Sequence, residues 1–243
     1  METKKVLVGG ATGSAGFAIA QEYLKRGYDI YAMVRDIKKA EEMFKVDGKR
    51  DLRVYLYDGF DLEDSNSVNV FISNMSDVDV YFDAVDLAAG SFEWDNDRRI
   101  ENPKTAEQVA NYLMNANFKT KVSVIESLKK LPKNINKKTK VGLIGSHAAN
   151  FAEDDPRRLN LKTGYKEEGY IASMQAVAKL AKDLQKEGIF AGVYLFEPGL
   201  INSPLAHKQF NEITIGENPP WDELPTPEDF AYEVVTAMES GAV

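Results

Sequence analysis

A glycine-rich turn between a strand-like and a helix-like segment most constrains the fold of this chain. Residues 6–8 are β-branched or apolar, and Gly10-Ala11-Thr12-Gly13-Ser14-Ala15-Gly16 follows them. Residues 17–26 then have helical periodicity and end at Gly27. Glycines at such a turn let the backbone approach a pyrophosphate, which the next helix N-terminus attracts. The candidate phosphate-binding residues are Gly10, Thr12, Gly13, Ser14, Ala15 and Gly16. The alternative is a glycine turn needed only for tight packing of strand against helix.

Strand-like and helix-like segments keep alternating along the rest of the chain. Strands are predicted at residues 30–34, 52–57, within 78–89, at 141–144 and at 190–196. Helices are predicted at residues 38–44, 106–130, 170–186 and 230–238, the last entered through a Thr226-Pro227-Glu228-Asp229 capping box. Repeated βα units predict one α/β domain over residues 1–243. We expect a Rossmann-type, doubly wound parallel sheet of about six strands with helices on both faces.

Composition narrows the classes of partner. The net charge of −8 disfavours nucleic acid, because phosphate backbones bind basic surfaces. The absence of cysteine excludes disulfides and thiolate metal sites, and two histidines leave little for zinc. The residues before Val6 are polar, and no apolar run approaches the length of a membrane span. We therefore expect a cytoplasmic protein that acts on a small-molecule substrate without a metal, nucleic acid or membrane.

The end of the second predicted strand indicates which dinucleotide is bound. Met33-Val34-Arg35-Asp36 should face the adenosine ribose. An arginine suits a 2′-phosphate, because its guanidinium offers two donors to the anion. Arg35 therefore favours NADP(H) over NAD(H). Asp36 could instead accept a hydrogen bond from a ribose 2′-OH, and a plain surface arginine is the third possibility.

Further short motifs follow the glycine turn in a fixed order: Asp61-Leu62, Ala88-Ala89-Gly90, Asn117-Phe118-Lys119-Thr120, Ser146 after Leu143-Ile144-Gly145, Tyr170, and Pro198-Gly199-Leu200-Ile201-Asn202-Ser203-Pro204. Together they resemble the landmarks of the short-chain dehydrogenase/reductase family over nearly all of the chain, and the glycine turn is similar to that of its extended and atypical branches. The resemblance implies catalytic roles for Tyr170, Ser146 and Asn117. It also implies cofactor contacts by Asp61, Leu62, Ala89, Gly90, Pro198, Gly199, Ile201 and Ser203.

One departure from the family pattern bears on catalysis. The family's lysine, four residues after the tyrosine, is Met174 here. Such a lysine lies one helical turn from the phenol, and a cation there typically lowers a phenol pKa by about 1 to 3 units. A thioether carries no charge, so we expect Met174 to be a packing residue. Lys179 should lie on the other side of the helix, and Lys166 could reach the site only if its loop folds over it.

The expected substrate loops are residues 91–105, 147–169 and 203–225. His147 could be a substitute acid near the substrate, because the unperturbed pKa of a histidine lies close to neutrality. We expect it to point away from Ser146 instead, because side chains alternate along an extended segment. The first functional hypothesis is an NADP(H)-dependent reductase of a carbonyl or enone. The second is a catalytically impaired NADP(H)-binding sensor or regulatory protein, and the third is a cofactor-free acid-base catalyst. The resemblance also implies a homodimer formed through the helices at residues 106–130 and 170–186.

Overall fold

Six parallel strands form the main sheet of the protein. The structure, a computed structural model, describes residues 3–46, 48–57, 65–75, 77–86, 106–152, 160–161, 168–208, 214–215 and 219–241. In chain order the strands are β1 (Lys5–Gly9), β2 (Asp29–Met33), β3 (Lys45–Val46), β4 (Lys49–Arg50), β5 (Val54–Tyr57), β6 (Val80–Asp83), β7 (Lys140–Ile144), β8 (Asn160–Leu161), β9 (Gly192–Phe196) and β10 (Thr214–Ile215). Strands β3 and β4 pair with each other, as do β8 and β10, and both pairs are antiparallel.

The strand order of the main sheet fixes where a ligand can bind. The order is β5-β2-β1-β6-β7-β9, and every neighbouring pair is parallel. The chain runs outward from β1 to one edge and then returns to β6 on the other side of β1. In open α/β sheets, ligands bind beyond the carboxyl ends of the strands at such a reversal. The structure thus confirms the predicted doubly wound sheet and locates its binding edge between β1 and β6.

Helices cover both faces of this sheet. They are α1 (Ser14–Lys25), α2 (Ile37–Met43), α3 (Ser65–Ser73), α4 (Ala106–Met114), α5 (Thr120–Lys129), α6 (Lys133–Asn136), α7 (Glu168–Glu187), α8 (Pro204–Lys208) and α9 (Pro227–Ser240). A π-helical turn, Asn115–Lys119, joins α4 to α5, and 3₁₀ turns occupy His147–Asn150 and Trp221–Glu223. The capping box of α9 is present as predicted, with Thr226 and Asp229 each accepting a hydrogen bond from the other's backbone N–H.

Successive side chains of β1 pack into two separate apolar cores, one on each face of the sheet. Val6 and Val8 of β1 pack with apolar residues of α1 and α9, whereas Leu7 packs with those of α3, α5 and α7. This period of two is the expected consequence of strand geometry in a sheet buried on both faces.

The first and last helices lie against each other in one of these cores. The Tyr23 hydroxyl contacts the Met238 sulfur at 3.6 Å, and Arg26 forms an ion pair with Glu239 at 2.7 Å. Helix α1 therefore depends on the far end of the chain for much of its packing.

Two helical predictions need correction, and helix α3 was missed. The predicted helix at residues 106–130 is interrupted by the π-helical turn, in which the Thr120 N–H reaches back five residues to the Asn115 carbonyl. Helix α1 begins at Ser14, earlier than predicted, because Gly13 takes the extended N-cap conformation. Helix α3 was not predicted, since its Ser, Asn and Val residues are weak helix formers. The burial of Val68 and Ile72 against the sheet outweighs that weak propensity.

Candidate active site

A different structural constraint acts at each of the three glycines of the glycine-rich turn. Gly10 has a φ of 72°, in the left-handed region, and its carbonyl accepts a hydrogen bond from the Gly13 N–H at 2.9 Å. A Cβ on Gly16 would lie 2.2 Å from the Gly10 carbonyl oxygen, which no real structure tolerates. A Cβ on Gly13 would lie 3.3 Å from the same oxygen, a much milder contact. Packing thus accounts for Gly16 but only weakly for Gly13.

The N-terminus of α1 fits the pyrophosphate of a dinucleotide. Its N-cap is Gly13, which offers no side chain to the first N–H groups, and its first turn contains no acidic residue. The helix therefore presents backbone donors and the positive end of its dipole beside the sheet reversal. Thr12, Ser14 and Ala15 lie in this same segment. A phosphate placed here would receive the donors that a capping side chain otherwise takes.

Arg35 and Asp36 follow β2, and the structure shows a specific role for Asp36. Arg35 is exposed. The Asp36 carboxylate accepts a hydrogen bond from the Lys39 N–H at 3.1 Å and caps the N-terminus of α2. Asp36 therefore has a local structural role, which lowers its availability for a ribose hydroxyl. Asp61 and Leu62, the predicted adenine contacts, lie outside the described residues.

Tyr170 and Met174 lie in a small apolar cluster built by α4, α7 and the 3₁₀ turn. The cluster contains Val109, Leu113, Ala148, Ala149, Tyr170, Ile171 and Met174. Met174 is fully buried in it, which is the packing role expected for this residue. The backbones of α4 and α7 approach closely, since a Cβ on Gly169 would lie 2.7 Å from the Ala110 Cα. Lys179, by contrast, is exposed and pairs with Asp183 at 2.6 Å.

Asn117 is connected to the first turns of α7. It is fully buried in the π-helical turn, and its side-chain amide donates to the Ser173 hydroxyl at 3.2 Å. The Ser173 hydroxyl in turn donates to the Tyr170 carbonyl oxygen at 2.7 Å. π-Helical turns are frequent at functional sites, where they redirect a side chain. The structure thus brings Asn117 to the helix turn that carries Tyr170.

Ser146 begins the 3₁₀ turn that packs on Tyr170. Its hydroxyl oxygen accepts a hydrogen bond from the Ala148 N–H at 3.2 Å, and Ala148 belongs to the same cluster as Tyr170. The next residue, His147, is exposed, and it lies in a 3₁₀ turn rather than in the extended segment that the alternation argument assumed. Ser146 follows the carboxyl end of β7, and Tyr170 packs on the 3₁₀ turn that comes directly after it. Both residues therefore belong to the carboxyl edge of the sheet.

An acidic residue not predicted from the sequence contacts the Tyr170 hydroxyl. The Tyr170 hydroxyl donates to the Asp86 Oδ2 at 3.3 Å. Asp86 Oδ1 is shielded from solvent and has no hydrogen-bond partner within the described part of the chain. Burial raises the pKa of the Asp86 carboxyl to about 6, although the Lys121 charge and the Tyr170 hydrogen bond act in the opposite direction. A carboxylate just beyond a buried strand at the sheet reversal is the sequence signal that would have indicated Asp86.

A buried ion pair holds the chain segment that leads to Asp86. Lys121 and Asp83 are both fully buried, and the Lys121 Nζ lies 2.7 Å from the Asp83 Oδ1. The same ammonium donates to the Val85 carbonyl at 2.6 Å, and the Val85 N–H donates to Asp83 at 2.9 Å. Tyr81 also donates its hydroxyl to Asp83, and its burial raises the pKa of the Tyr81 phenol well above the ordinary value. These contacts fix the course of residues 83–86.

The segment after β9 forms another part of the same edge. Ile201 packs against the core cluster of α1 and α9, while Gly199 is exposed and Pro198 is half-buried. Ser203 accepts a hydrogen bond from the Ala206 N–H at 3.2 Å and begins α8. Ala89, Gly90, Lys166 and the whole 91–105 loop lie outside the described residues, as do parts of the 147–169 and 203–225 loops.

A family comparison agrees with this arrangement. The model of the NAD dependent epimerase/dehydratase family matches residues 6–198, which include the glycine turn, Ser146 and Tyr170. The chain belongs to this family. Its relation to the short-chain dehydrogenases and reductases, expected from the motifs, is thereby confirmed.

Solved structures similar to this epimerase/dehydratase family member have the same fold. ElxO with NADP bound superposes with a TM-score of 0.73 at 18% identity, over 98% of this chain and 92% of that one. A short chain dehydrogenase from Burkholderia cenocepacia J2315 in complex with NADP gives 0.71 at 18% identity, over 99% and 86%. An alcohol dehydrogenase from the archaeon Thermococcus sibiricus, complexed with 5-hydroxy-NADP, gives 0.68 at 17% identity, over 98% and 91%.

A curated relative matches a short part of the chain. An uncharacterized chloroplastic protein of Arabidopsis thaliana is 49% identical over 47 residues, which are 19% of this chain and 17% of that protein.

Within the described residues of this family member, no group of three or more histidine, aspartate or glutamate side chains could hold a metal ion. No helix in the described ranges is both long and apolar enough to cross a membrane.

Proposed function

We propose that the protein is an NADP(H)-dependent oxidoreductase of the short-chain dehydrogenase/reductase type that reduces a carbonyl or enone of a small molecule. The observation that carries the proposal is the contact of the Tyr170 hydroxyl with Asp86, just beyond the carboxyl end of β6. Strand β6 lies beside β1, and β1 leads into the glycine turn. A proton donor and a phosphate-binding helix end therefore share one edge of the sheet.

Several residues are suited to hold the cofactor. The α1 N-terminus with Gly13, Ser14 and Ala15 would hold the pyrophosphate, for the reasons of packing and dipole given above. Arg35 would contact a 2′-phosphate, and the use of Asp36 as a helix cap favours this preference for NADP(H) over NAD(H). The bound NADP in two of the structural neighbours supports the same choice.

In the proposed reduction, the residues of this chain bind the substrate oxygen and supply its proton. The bound nicotinamide would supply a hydride to the substrate carbon. Tyr170 would donate its proton to the substrate oxygen, and the Ser146 hydroxyl would hydrogen-bond that oxygen. Asn117 would hold the first turns of α7 in place through Ser173. The apolar cluster around Met174 would keep water from one side of the phenol.

A second candidate function is an NADP(H)-binding sensor or regulatory protein without turnover. The buried Met174 favours it, because Met174 supplies no cation one helix turn after the Tyr170 phenol. Turnover separates the two functions, since both require the nucleotide.

Titration calorimetry with NADPH and NADH tests the cofactor assignment. We expect Arg35→Ala to weaken NADPH binding about 10- to 100-fold, because it removes charge-assisted hydrogen bonds, and to leave NADH binding unchanged. Lys38→Ala, which removes an exposed cation from neighbouring α2, is the matched control. Failure of the wild-type protein to bind either nucleotide would refute both candidate functions.

Turnover is then measured by NADPH oxidation with a panel of aldehydes, ketones and enones. We expect Tyr170→Phe to abolish turnover and to spare NADPH affinity. Nucleotide binding without any turnover would favour the sensor.

A homodimer also stays a prediction, and light scattering would show it as a mass near twice 27.1 kDa.

A further inference from the structure

Asp86 is placed where it can exchange a proton with Tyr170. The Tyr170 hydroxyl donates a hydrogen bond to the Asp86 Oδ2, with 3.3 Å between the two oxygens, and the Asp86 Oδ1 is shielded from solvent without a partner among the residues described. When Asp86 is protonated, the same contact can carry a hydrogen bond from the carboxylic acid to the phenol oxygen. The Lys121–Asp83 pair fixes the strand end from which Asp86 extends. The contacts of these neighbouring residues therefore help to hold the Asp86 carboxyl group beside the phenol.

Two described neighbours of Tyr170, Met174 and Asp86, disfavour a free phenolate. Met174 supplies no charge on the neighbouring helix turn, and Asp86 would add a negative charge next to the phenolate. A buried like-charge pair disfavours the ionised form. Tyr170 can avoid that charge if it receives a proton on its oxygen while it gives one to the substrate.

We propose that Asp86 is the proton source behind Tyr170: its carboxylic acid passes a proton to the phenol oxygen as the phenol passes its own proton to the substrate oxygen. This inference rests on the proposed reductase function. The Tyr170 O–H bond breaks as the substrate O–H bond forms, and the Asp86 O–H bond breaks as the new Tyr170 O–H bond forms. The electron pair of the new C–H bond comes from the nicotinamide hydride, so the relay moves protons only. After the product leaves, a solvent proton returns to the Asp86 carboxylate through the Tyr170 hydroxyl, which donates to it.

The groups that face Asp86 set the pH range of this relay. From α7 it faces the neutral Tyr170 phenol, and from α5 it faces the Lys121 ammonium, whose direct partner on β6 is Asp83. Burial outweighs the Lys121 charge and keeps the Asp86 pKa near 6, so that the acid form is present at neutral pH in useful amounts. The acid is the donor, so reduction should slow as the pH rises through about 6.

The first test is the pH dependence of kcat for Asp86→Asn, with Asp86→Glu as the conservative variant. For the wild-type protein we expect kcat of the best substrate in the carbonyl panel to fall about tenfold per pH unit above the Asp86 pKa. At pH 6, Asp86→Asn should lower kcat by about 100-fold and flatten the profile, as expected for loss of a general acid. Asp86→Glu should restore part of kcat and a sloping profile. An unchanged profile in Asp86→Asn overturns the relay, and so does a loss confined to NADPH affinity.

The second test does not need turnover. Tyrosine labelled with ¹³C at Cζ is incorporated, and the Tyr170 signal is identified by its loss in Tyr170→Phe. We expect the Tyr170 shift to titrate with a midpoint near pH 6 in the wild-type protein and to lose that inflection in Asp86→Asn. A Tyr170 signal without this inflection in the wild-type protein overturns the inference. Absence of NADPH binding would refute the proposed function instead, and it would leave the titration result intact.

Discussion

Relative to wild type, Asp86→Asn should be more stable at alkaline pH than at acidic pH. The folded-state pKa of Asp86 is about 6, against an ordinary value of 3.8. The folded protein thus keeps this proton to a higher pH than the unfolded chain does. The stability from protonated Asp86 is complete below about pH 3.8 and is lost as the pH rises through 6. A shift of about two units, at about 1.4 kcal/mol each, makes the total loss about 3 kcal/mol.

The loss of stability can be compared at pH 5 and at pH 8. By pH 5 about half of the 3 kcal/mol is already lost, and the remaining 1.4 kcal/mol or so is lost between pH 5 and pH 8. Asparagine does not titrate, so its free energy of unfolding lacks this dependence. The difference between Asp86→Asn and wild type should therefore be about 1.4 kcal/mol more favourable to the variant at pH 8 than at pH 5. Any fixed cost of the amide cancels in this comparison.

Urea unfolding at the two pH values measures the difference. Asp222→Asn, which removes an exposed carboxylate, serves as the matched control and should show no such change between pH 5 and pH 8. Equal effects of Asp86→Asn at both pH values would refute the burial of this carboxyl beside Tyr170. A larger benefit at pH 5 would show that a cation, rather than burial, dominates its surroundings.

Three further substitutions test other parts of the site. Gly16→Ala should lower stability by at least about 1 to 3 kcal/mol in thermal unfolding, because its Cβ would overlap the turn backbone, and Gly13→Ala should cost less. Lys121→Met should cost about 3–5 kcal/mol in urea unfolding, since it leaves a buried carboxylate without its cation, and Asp83→Asn in the same chain should recover part of that loss. Met174→Lys should raise NADPH-dependent turnover at pH 8, because a cation one turn from Tyr170 stabilises its phenolate, whereas Met174→Leu should not.

The sheet could be predicted from the sequence because its signals are local. The apolar strands, the glycine turn and the intervening helical segments each carry their own pattern, and the six parallel strands follow from their repetition. The capping box at Thr226 is equally local and is present in the structure. Helix α3 and the π-helical turn were missed for different reasons. The first depends on tertiary packing of weak helix formers, and the second keeps an apolar spacing that an unbroken helix also gives.

The position of Asp86 after a predicted strand was a usable sequence signal, but the contacts of the acidic part of the site could not be predicted, because they join distant segments. Lys121 meets Asp83 across 38 positions, and Tyr170 meets Asp86 across 84 positions. No periodicity or spacing rule connects such pairs in a single sequence. The substitution at Met174 was visible from the sequence, whereas the contact of the Asp86 carboxyl with the Tyr170 phenol became visible only in the folded chain.

The packing of α1 on α9 has a consequence for biosynthesis. Tyr23 finds its partner Met238 only 215 positions later in the chain. At bacterial or eukaryotic elongation rates, about 10 to 40 s separate the two residues on the ribosome. During that interval the part of α1 that packs on α9 lacks its partner and is exposed to chaperones or to other nascent chains. The C-terminal half of α1 thus gains its contacts with α9 only after residue 238 has been synthesised.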